Sequence, residues 1–404
     1  MSEPHGSWLN LSVMAVTVPS FAKINLGLRI GEPRADGFHE LRTVYQTIAL
    51  HDVIRVSVGR GRGIEIRCDD PRVPRDSTNT CWQMIERAMR TLKAQGRVVI
   101  EVEKRLPVQG GLGGASGNAV GTLLALEAAL GKRLSEPHRL SIAAEVGSDL
   151  PLFLIGGTVL GVGRGEEVYP LPDLPAMVCV VALPEIAVST PKAFAEWDRS
   201  YGSHDNLGYG TAGKGTAYSR AETRSHDAPA LAAEVDAKEK RVPRLGDHYQ
   251  TNDPVALGMT NVKSWNKLKN PTHSDRMLKF SREISAWLGA APKQSRRRSG
   301  VSASGGGRAE NPLLDLVRTG IENDFEKVVF PQYPELREVK SVLERNGARY
   351  ASLSGSGSAI YGLFDSRRKA TLAANKLNQR GTQAVVTSTL TRRQYWKKLL
   401  AISF

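Results

Sequence analysis

Between residues 106 and 131 the chain reads LPVQGGLGGASGNAVGTLLALEAALG, and Gly110, Gly111, Gly113, Gly114 and Gly117 remove five side chains within eight positions. A stretch so poor in side chains lets backbone N–H groups approach an anion closely and permits positive φ values. A strong helix former follows at once, so the unpaired first N–H groups and the positive dipole end of that helix face the same loop. Ser116 supplies a hydroxyl that can cap the helix or meet a phosphate or its magnesium ion. Residue types alone leave two readings, a backbone cradle for phosphate and a glycine-rich turn before a helix, and the number of glycines favours the first. Neither common nucleotide signature is present: a P-loop needs Lys-Ser/Thr after its last glycine, and the dinucleotide pattern needs a third glycine where Ser116 stands. A near match to the P-loop at 208–215, GYGTAGKG, has Gly215 instead of the magnesium-binding hydroxyl and no strand before it.

Other chemistry-bearing residues stand singly. Lys23 is the only basic residue of SFAKINLGL, 20–28. Beside an aspartate such an ammonium keeps the carboxylate ionised and stabilises charge on a transferring phosphoryl group; the plainer alternative is a solvated lysine at a strand edge. Asn25, two residues on, falls on the same face of a strand. Asp149, in VGSDLPLFL, stands among apolar residues just before Pro151, as either a rigidly held base or a helix cap. Phe194, in STPKAFAEW, reads by itself as a core residue.

The elements that must position these groups alternate between strand and helix, an α+β pattern. Strands are expected at 16–30, 43–50, 52–58, 63–69, 97–106 and 177–183, from β-branched runs bounded by turn residues. Met84, Ala88 and Leu92 recur at helical spacing within 79–95, as do Leu123, Leu126 and Leu130 after the glycine loop. Residues 1–14 read as an N-terminal extension, with Met14 an alternative start, and 15–198 as a first lobe. The stretch 199–270 reads as a turn-rich, mobile basic insertion. Residues 271–404 form a second lobe, interrupted by a flexible basic linker at 293–310.

The chain has 404 residues and a formal net charge of +14. That charge is uneven: residues 199–310 hold nineteen Lys/Arg against eleven Asp/Glu, leaving +6 for the other 292 residues. The basic tract RRRSGVSASGGGR lacks interleaved aromatics, so it supports nonspecific phosphate attraction and no specific nucleic-acid partner is expected. No apolar run is long enough to span a bilayer, and no signal peptide is evident. Cys68, Cys81 and Cys179 are scattered without metal-ligand spacing, which suits reduced thiols in the cytoplasm.

PVQGGLGGASGNA, 107–119, resembles the ATP-binding second motif of the GHMP kinases, the superfamily of galactokinase, homoserine kinase, mevalonate kinase and phosphomevalonate kinase. SFAKINLGLRIGEPRADGFHEL (20–41) is similar to the N-terminal motif of the branch that acts on 4-diphosphocytidyl-2-C-methyl-D-erythritol. LSGSGSAIYGLF (353–364) is similar to the third, glycine-rich motif, and VGSDLPLFL to the segment carrying the catalytic aspartate. The resemblance covers roughly 15–198 and 271–404. It implies a two-lobed fold with the active-site cleft between the lobes, ATP and Mg2+ as cofactors, and phosphorylation of the 2-hydroxyl of that cytidyl substrate in isoprenoid precursor synthesis. It assigns Lys23 and Asp149 to catalysis. It assigns Pro107, Val108, Gln109, Gly110, Gly111, Leu112, Gly113, Gly114, Ala115, Ser116 and Gly117 to ATP, with Asn79 and Lys104 near the adenosine. Asn25 becomes a substrate contact, His39 a hydrogen-bond partner of the cytosine, and Phe38 and Phe194 its stacking partners. The resemblance assigns no metal ligands, and it implies a small-molecule substrate, no membrane and a monomer or homodimer. Three positions depart from the pattern: Phe38 stands where many relatives carry tyrosine, Gln109 replaces a glycine, and Gly117 replaces a small residue that is often serine. The alternative is a homoserine- or mevalonate-kinase-like enzyme, to which a cytosine clamp built from RADGFHEL and Phe194 would be useless.

Overall fold

The computed structural model describes residues 14–108, 110–202 and 321–401. Gln109, the extension before Met14, the insertion from 203 onward and the 293–310 linker lie outside the described residues.

The first lobe is built on a six-stranded sheet. Its strands are β1 (Met14–Pro33), β2 (His39–Gly59), β3 (Gly63–Cys68), β4 (Arg97–Glu103), β5 (Thr158–Val162) and β6 (Glu167–Pro170). They run in the order β3-β4-β2-β5-β6, with β1 antiparallel along β2. The two strands expected at 43–50 and 52–58 are one strand. A register shift opposite Phe21 and Ala22 lets the β1 ladder skip Ala49 and Leu50. This bulge bends β2, so that Thr43–Gln46 pair with β5 and Val53–Gly59 pair with β4.

Five helices accompany this sheet and its exit: α1 (Thr80–Thr91), α2 (Gly114–Leu130), α3 (Glu136–Val146), α4 (Leu150–Ile155) and α5 (Thr190–Tyr201). Met84 and Ala88 of α1 are fully buried, as their spacing predicts, and Leu92 packs half-buried at its C-cap. The leucine stripe of α2 understates its burial, because nearly every residue from Gly117 to Glu127 is buried. The helix lies against β1 and β2 on one side and against α1 and α4 on others. That close approach explains Gly117: it sits inside the helix, where a Cβ would fall 2.8 Å from the Phe21 carbonyl oxygen. The phosphate loop therefore ends before it. Helix α5 continues to Tyr201, across the boundary expected at 198, and buries Ala193 and Trp197 in the second lobe's cluster; the chain enters the second lobe at Val178, before that boundary.

The second lobe carries an antiparallel sheet of β7 (Val178–Leu183), β8 (Tyr350–Leu353), β9 (Ile360–Phe364) and β10 (Gln383–Ser388), in the order β10-β7-β9-β8. The described helices here are α6 (Glu326–Gln332), α7 (Pro334–Arg345), α8 (Arg367–Gln379) and α9 (Arg392–Leu399). Each lobe has its own apolar cluster, and a third joins them. In it Ala22, Ile24 and Leu26 of β1 pack with Cys179, Val181, Tyr361 and Leu363 of the second sheet. Strand β1 therefore buries its aliphatic face between the lobes, and its period of two sends Lys23 and Asn25 the other way.

Candidate active site

The glycine loop and the start of α2 form one wall of a cleft. Gly113 is the N-cap, with φ 68°, and Gly111 has φ 74°, both in the left-handed region that glycine alone adopts freely. Ser116 lies in the first turn and does not cap, contrary to one of its expected roles. No acidic residue occupies that turn, so its unpaired N–H groups and dipole end meet no competing carboxylate of the helix itself. The glycines also serve packing. Ser354 Oγ donates to the Gly111 carbonyl at 2.9 Å and Ala359 N to the Gly110 carbonyl at 3.2 Å, which joins the two glycine-rich loops. A Cβ on Gly111 would fall 2.1 Å from the Ser354 carbonyl oxygen. Gly111→Ala is therefore expected to lower the melting temperature by several degrees, since left-handed backbone alone costs an L-residue about 1–2 kcal/mol. The same variant should weaken nucleotide binding. A thermal melt and an ATP titration check both effects, and an unchanged melt would show that the loops separate freely.

A cavity of about 350 Å³ opens beside the loop, bounded by Pro107, Val108, Gly110–Ser116, Asn79, Lys104 and Asn118. Asn79 reaches it as the N-cap of α1, accepting from Cys81 N at 2.8 Å and donating to the Pro74 carbonyl at 2.6 Å. Lys104 Nζ is held 2.5 Å from Asp52 Oδ2. Asp52, fully buried at the bend of β2, also accepts from Arg105 N and Leu106 N at 2.7 Å each and from Asn118 Nδ2 at 3.0 Å. It thus ties the strand entering the loop to the helix leaving it. The sequence reading missed Asp52, although a lone carboxylate opening the run DVIRV was the available signal. Cys81 also lines this cavity, but burial pushes its thiol up to about 11, so it remains a neutral packing group.

At the end of the loop the two predicted catalytic residues meet. Lys23 Nζ lies 3.4 Å from Asp149 Oδ2 and donates to Asn25 Oδ1 at 2.7 Å. Asn25 Nδ2 in turn donates to Thr43 Oγ1 at 2.7 Å. Lys23 is 3% exposed, so it is no solvated edge residue. Its backbone N–H bonds the Leu112 carbonyl at 2.9 Å, which fixes the strand to the loop. Its side chain passes so close to Gly113 that a Cβ there would meet its Cγ at 3.0 Å, while a Cβ on Gly355 would meet Nζ at 3.5 Å. Asp149 does stand at the N-cap of α4, but its side chain makes no cap bond there. Oδ1 instead accepts from the Tyr45 hydroxyl at 3.0 Å. The glycine loop thus ends beside a buried ammonium and a carboxylate, groups that can stabilise charge and accept a proton in transfer of a phosphoryl group to a hydroxyl. Tyr45 was not anticipated, because TVYQTIAL reads only as a strand.

The remaining predicted substrate residues gather at the start of β2. His39 is buried, with Nε2 2.6 Å from Asp198 Oδ1 and its ring stacked on Phe194 at 4.9 Å and 13°. Phe194 and Asp198 are four residues apart on α5, so one face of that helix meets both the imidazole ring and its nitrogen. Phe325 meets Phe194 edge-on at 4.9 Å. Phe194 is thus partly a core residue, as its type alone indicated, packed against the second-lobe cluster. Phe38 lies beside the Arg164 guanidinium, 5.0 Å from the ring centre. Among the described residues no group of three or more His, Cys, Asp or Glu is placed to hold a metal, and no helix is long and apolar enough to cross a membrane.

Comparison with known proteins identifies the family and the fold. Residues 79–157 match the GHMP kinases N terminal domain, and residues 310–383 match the family described as GHMP kinases C terminal. A 4-diphosphocytidyl-2-C-methyl-D-erythritol kinase of Solibacter usitatus (strain Ellin6076) is 30% identical over 385 residues, covering 95% of this chain and 92% of the relative. One of the same name from Acaryochloris marina (strain MBIC 11017) is 29% identical over 364 residues, covering 90% and 91%. Among solved structures, a 4-(cytidine 5'-diphospho)-2C-methyl-D-erythritol kinase aligns with TM-score 0.57 at 23% identity, over 92% of this chain and 98% of its own. A homoserine kinase from Cytophaga hutchinsonii ATCC 33406 aligns with TM-score 0.58 at 17% identity, over 96% and 98%, so this likeness is one of fold. With both lobes matched and a 30% identical relative spanned almost end to end, the chain belongs to the GHMP kinases, a family of small-molecule kinases that use ATP.

Proposed function

We propose that this chain phosphorylates the 2-hydroxyl of 4-diphosphocytidyl-2-C-methyl-D-erythritol from ATP, a step in isoprenoid precursor synthesis. The observation that carries the chemistry is the Lys23–Asp149 pair, 3.4 Å apart at the end of the glycine cradle. The N–H groups of the first turn of α2 receive phosphate oxygens of ATP. Asp149 Oδ2 accepts the proton of the attacking hydroxyl, and Lys23 stabilises charge on the transferring group. Asn25 holds the Lys23 ammonium in place through its 2.7 Å bond. A magnesium ion of such a reaction usually rests on nucleotide phosphates with one or two protein oxygens. Ser116, in the first turn of α2, suits that demand; the bound ion would neutralise phosphate charge. His39, fixed by Asp198 and Phe194, belongs to recognition of the cytosine. The buried free thiols Cys68, Cys81 and Cys179 suit the reducing cytoplasm.

The test is incubation with ATP, magnesium and a panel of alcohols that includes the cytidyl substrate, homoserine and mevalonate, followed by mass. Only the cytidyl substrate is expected to gain a phosphate; turnover of homoserine or mevalonate instead would overturn the assignment. With the same substrate, His39→Ala is expected to raise its KM roughly tenfold or more, equivalent to about 1.4 kcal/mol, while kcat changes less. A kcat loss larger than the KM rise would mean that His39 acts on the reacting end.

A further inference from the structure

We infer that Tyr45 is a positioning residue for phosphoryl transfer, holding one oxygen of Asp149 so that the other faces Lys23 and the acceptor hydroxyl. The inference rests on the reading of Asp149 as the proton acceptor. Three observations carry it. First, the Tyr45 hydroxyl donates to Asp149 Oδ1 at 3.0 Å, while Lys23 lies 3.4 Å from Oδ2, so the two carboxylate oxygens have different partners. Asp149 sits at a helix N-cap without bonding the helix, so its orientation is set by these two side chains. Second, the fold makes room for this phenol. A Cβ on Gly161 of β5 would fall 2.5 Å from Tyr45 Cε2, and one on Gly165, in the turn after β5, would fall 2.5 Å from the phenol oxygen. Third, Tyr45 is buried away from water, so its hydroxyl would be an unsatisfied donor if it left Asp149. Burial, and then the nearby Asp149 and Glu166 carboxylates, keep the phenol protonated and hence always a donor.

Lys23 also lies over the Tyr45 ring, 5.6 Å from its centre. One side chain thus borders both members of the catalytic pair. A hydrogen bond to Oδ1 restricts rotation of the carboxylate and leaves the Oδ2 lone pairs for the substrate proton. The effect belongs to turnover, because no part of Tyr45 is needed to seat the nucleotide or the base.

Tyr45→Phe keeps the ring and removes only the hydroxyl. With whichever alcohol the wild-type chain phosphorylates, kcat is expected to fall about 10- to 100-fold, the range for losing a hydrogen bond to a charged group. KM for ATP and for the alcohol should stay within about twofold. In an Asp149→Ala background the same change should have no further effect on residual turnover, because a residue acting through Asp149 has nothing left to position. Gly165→Ala, which directs a methyl group at the phenol oxygen, should reproduce part of the kcat loss. An unchanged kcat in Tyr45→Phe, equal changes in kcat and KM, or an additive loss in the Asp149→Ala background would each overturn the inference. A wrong substrate assignment would instead appear in the wild-type panel, before any variant is measured.

Discussion

Asp149→Asn is expected to lower kcat at least roughly a hundredfold, within the 10²–10⁴ range typical of a lost general base. The substitution preserves shape. Its carbonyl oxygen can still accept from Tyr45, so the local fold should survive. What changes is the atom facing Lys23: an amide donor replaces Oδ2, which now lies 3.4 Å from the ammonium. The variant therefore loses both the proton acceptor and the partner of a buried cation. KM for ATP should change little, because the cradle is made of backbone from Gly110 to Ser116 and does not include this carboxylate. Steady-state kinetics with both substrates varied, alongside a thermal melt, separate these effects. Near-normal turnover would sink the assignment of Asp149 as base and, with it, the reason for its contact with Tyr45.

Lys23→Ala is expected to lower kcat roughly 10²–10³-fold, the usual loss when one preorganised group facing developing charge is removed. The pattern should be the reverse of His39→Ala, with kcat falling further than KM rises. Lys23→Arg is the sharper variant, since it keeps the charge. The ammonium has little room: Gly113 meets the stem and Gly355 the head, and both positions lack a Cβ. A planar guanidinium is larger and bonds as a fork, so it should neither hold the Asn25 contact nor restore turnover. Recovery by Lys23→Arg to within about threefold of wild type would show that charge alone suffices, whatever its geometry.

Several features of the site follow from local sequence. Glycine density before an apolar helix marks an anion cradle because conformational freedom and unpaired N–H groups are properties of neighbouring residues. Lys23 and Asn25 share a face because strand periodicity requires it, and their 2.7 Å hydrogen bond follows from that spacing. The burial of Met84 and Ala88 was legible for the same reason, in helical spacing. The pairing of Lys23 with Asp149 came from family motifs; nothing local connects residues 126 positions apart.

Other features came only from the tertiary structure, and they share a cause. Tyr45 reaches Asp149 across 104 residues, His39 reaches Asp198 across 159, and Ser354 reaches Gly111 across 243. Such contacts depend on strand order and on the bulge that bends β2, neither of which has a signature in the residues involved. Gly117 illustrates the difference, since its type suggests a loop while its cause is a helix lying on the Phe21 backbone. Ser116, a natural cap by type, loses that role because Gly113 already turns the chain into the helix. Residue type and spacing determine which groups can bind phosphate and which can share a face. Long-range packing determines which carboxylate is held, by which oxygen, and against which cation, because those distances are set by the approach of segments that are remote along the chain.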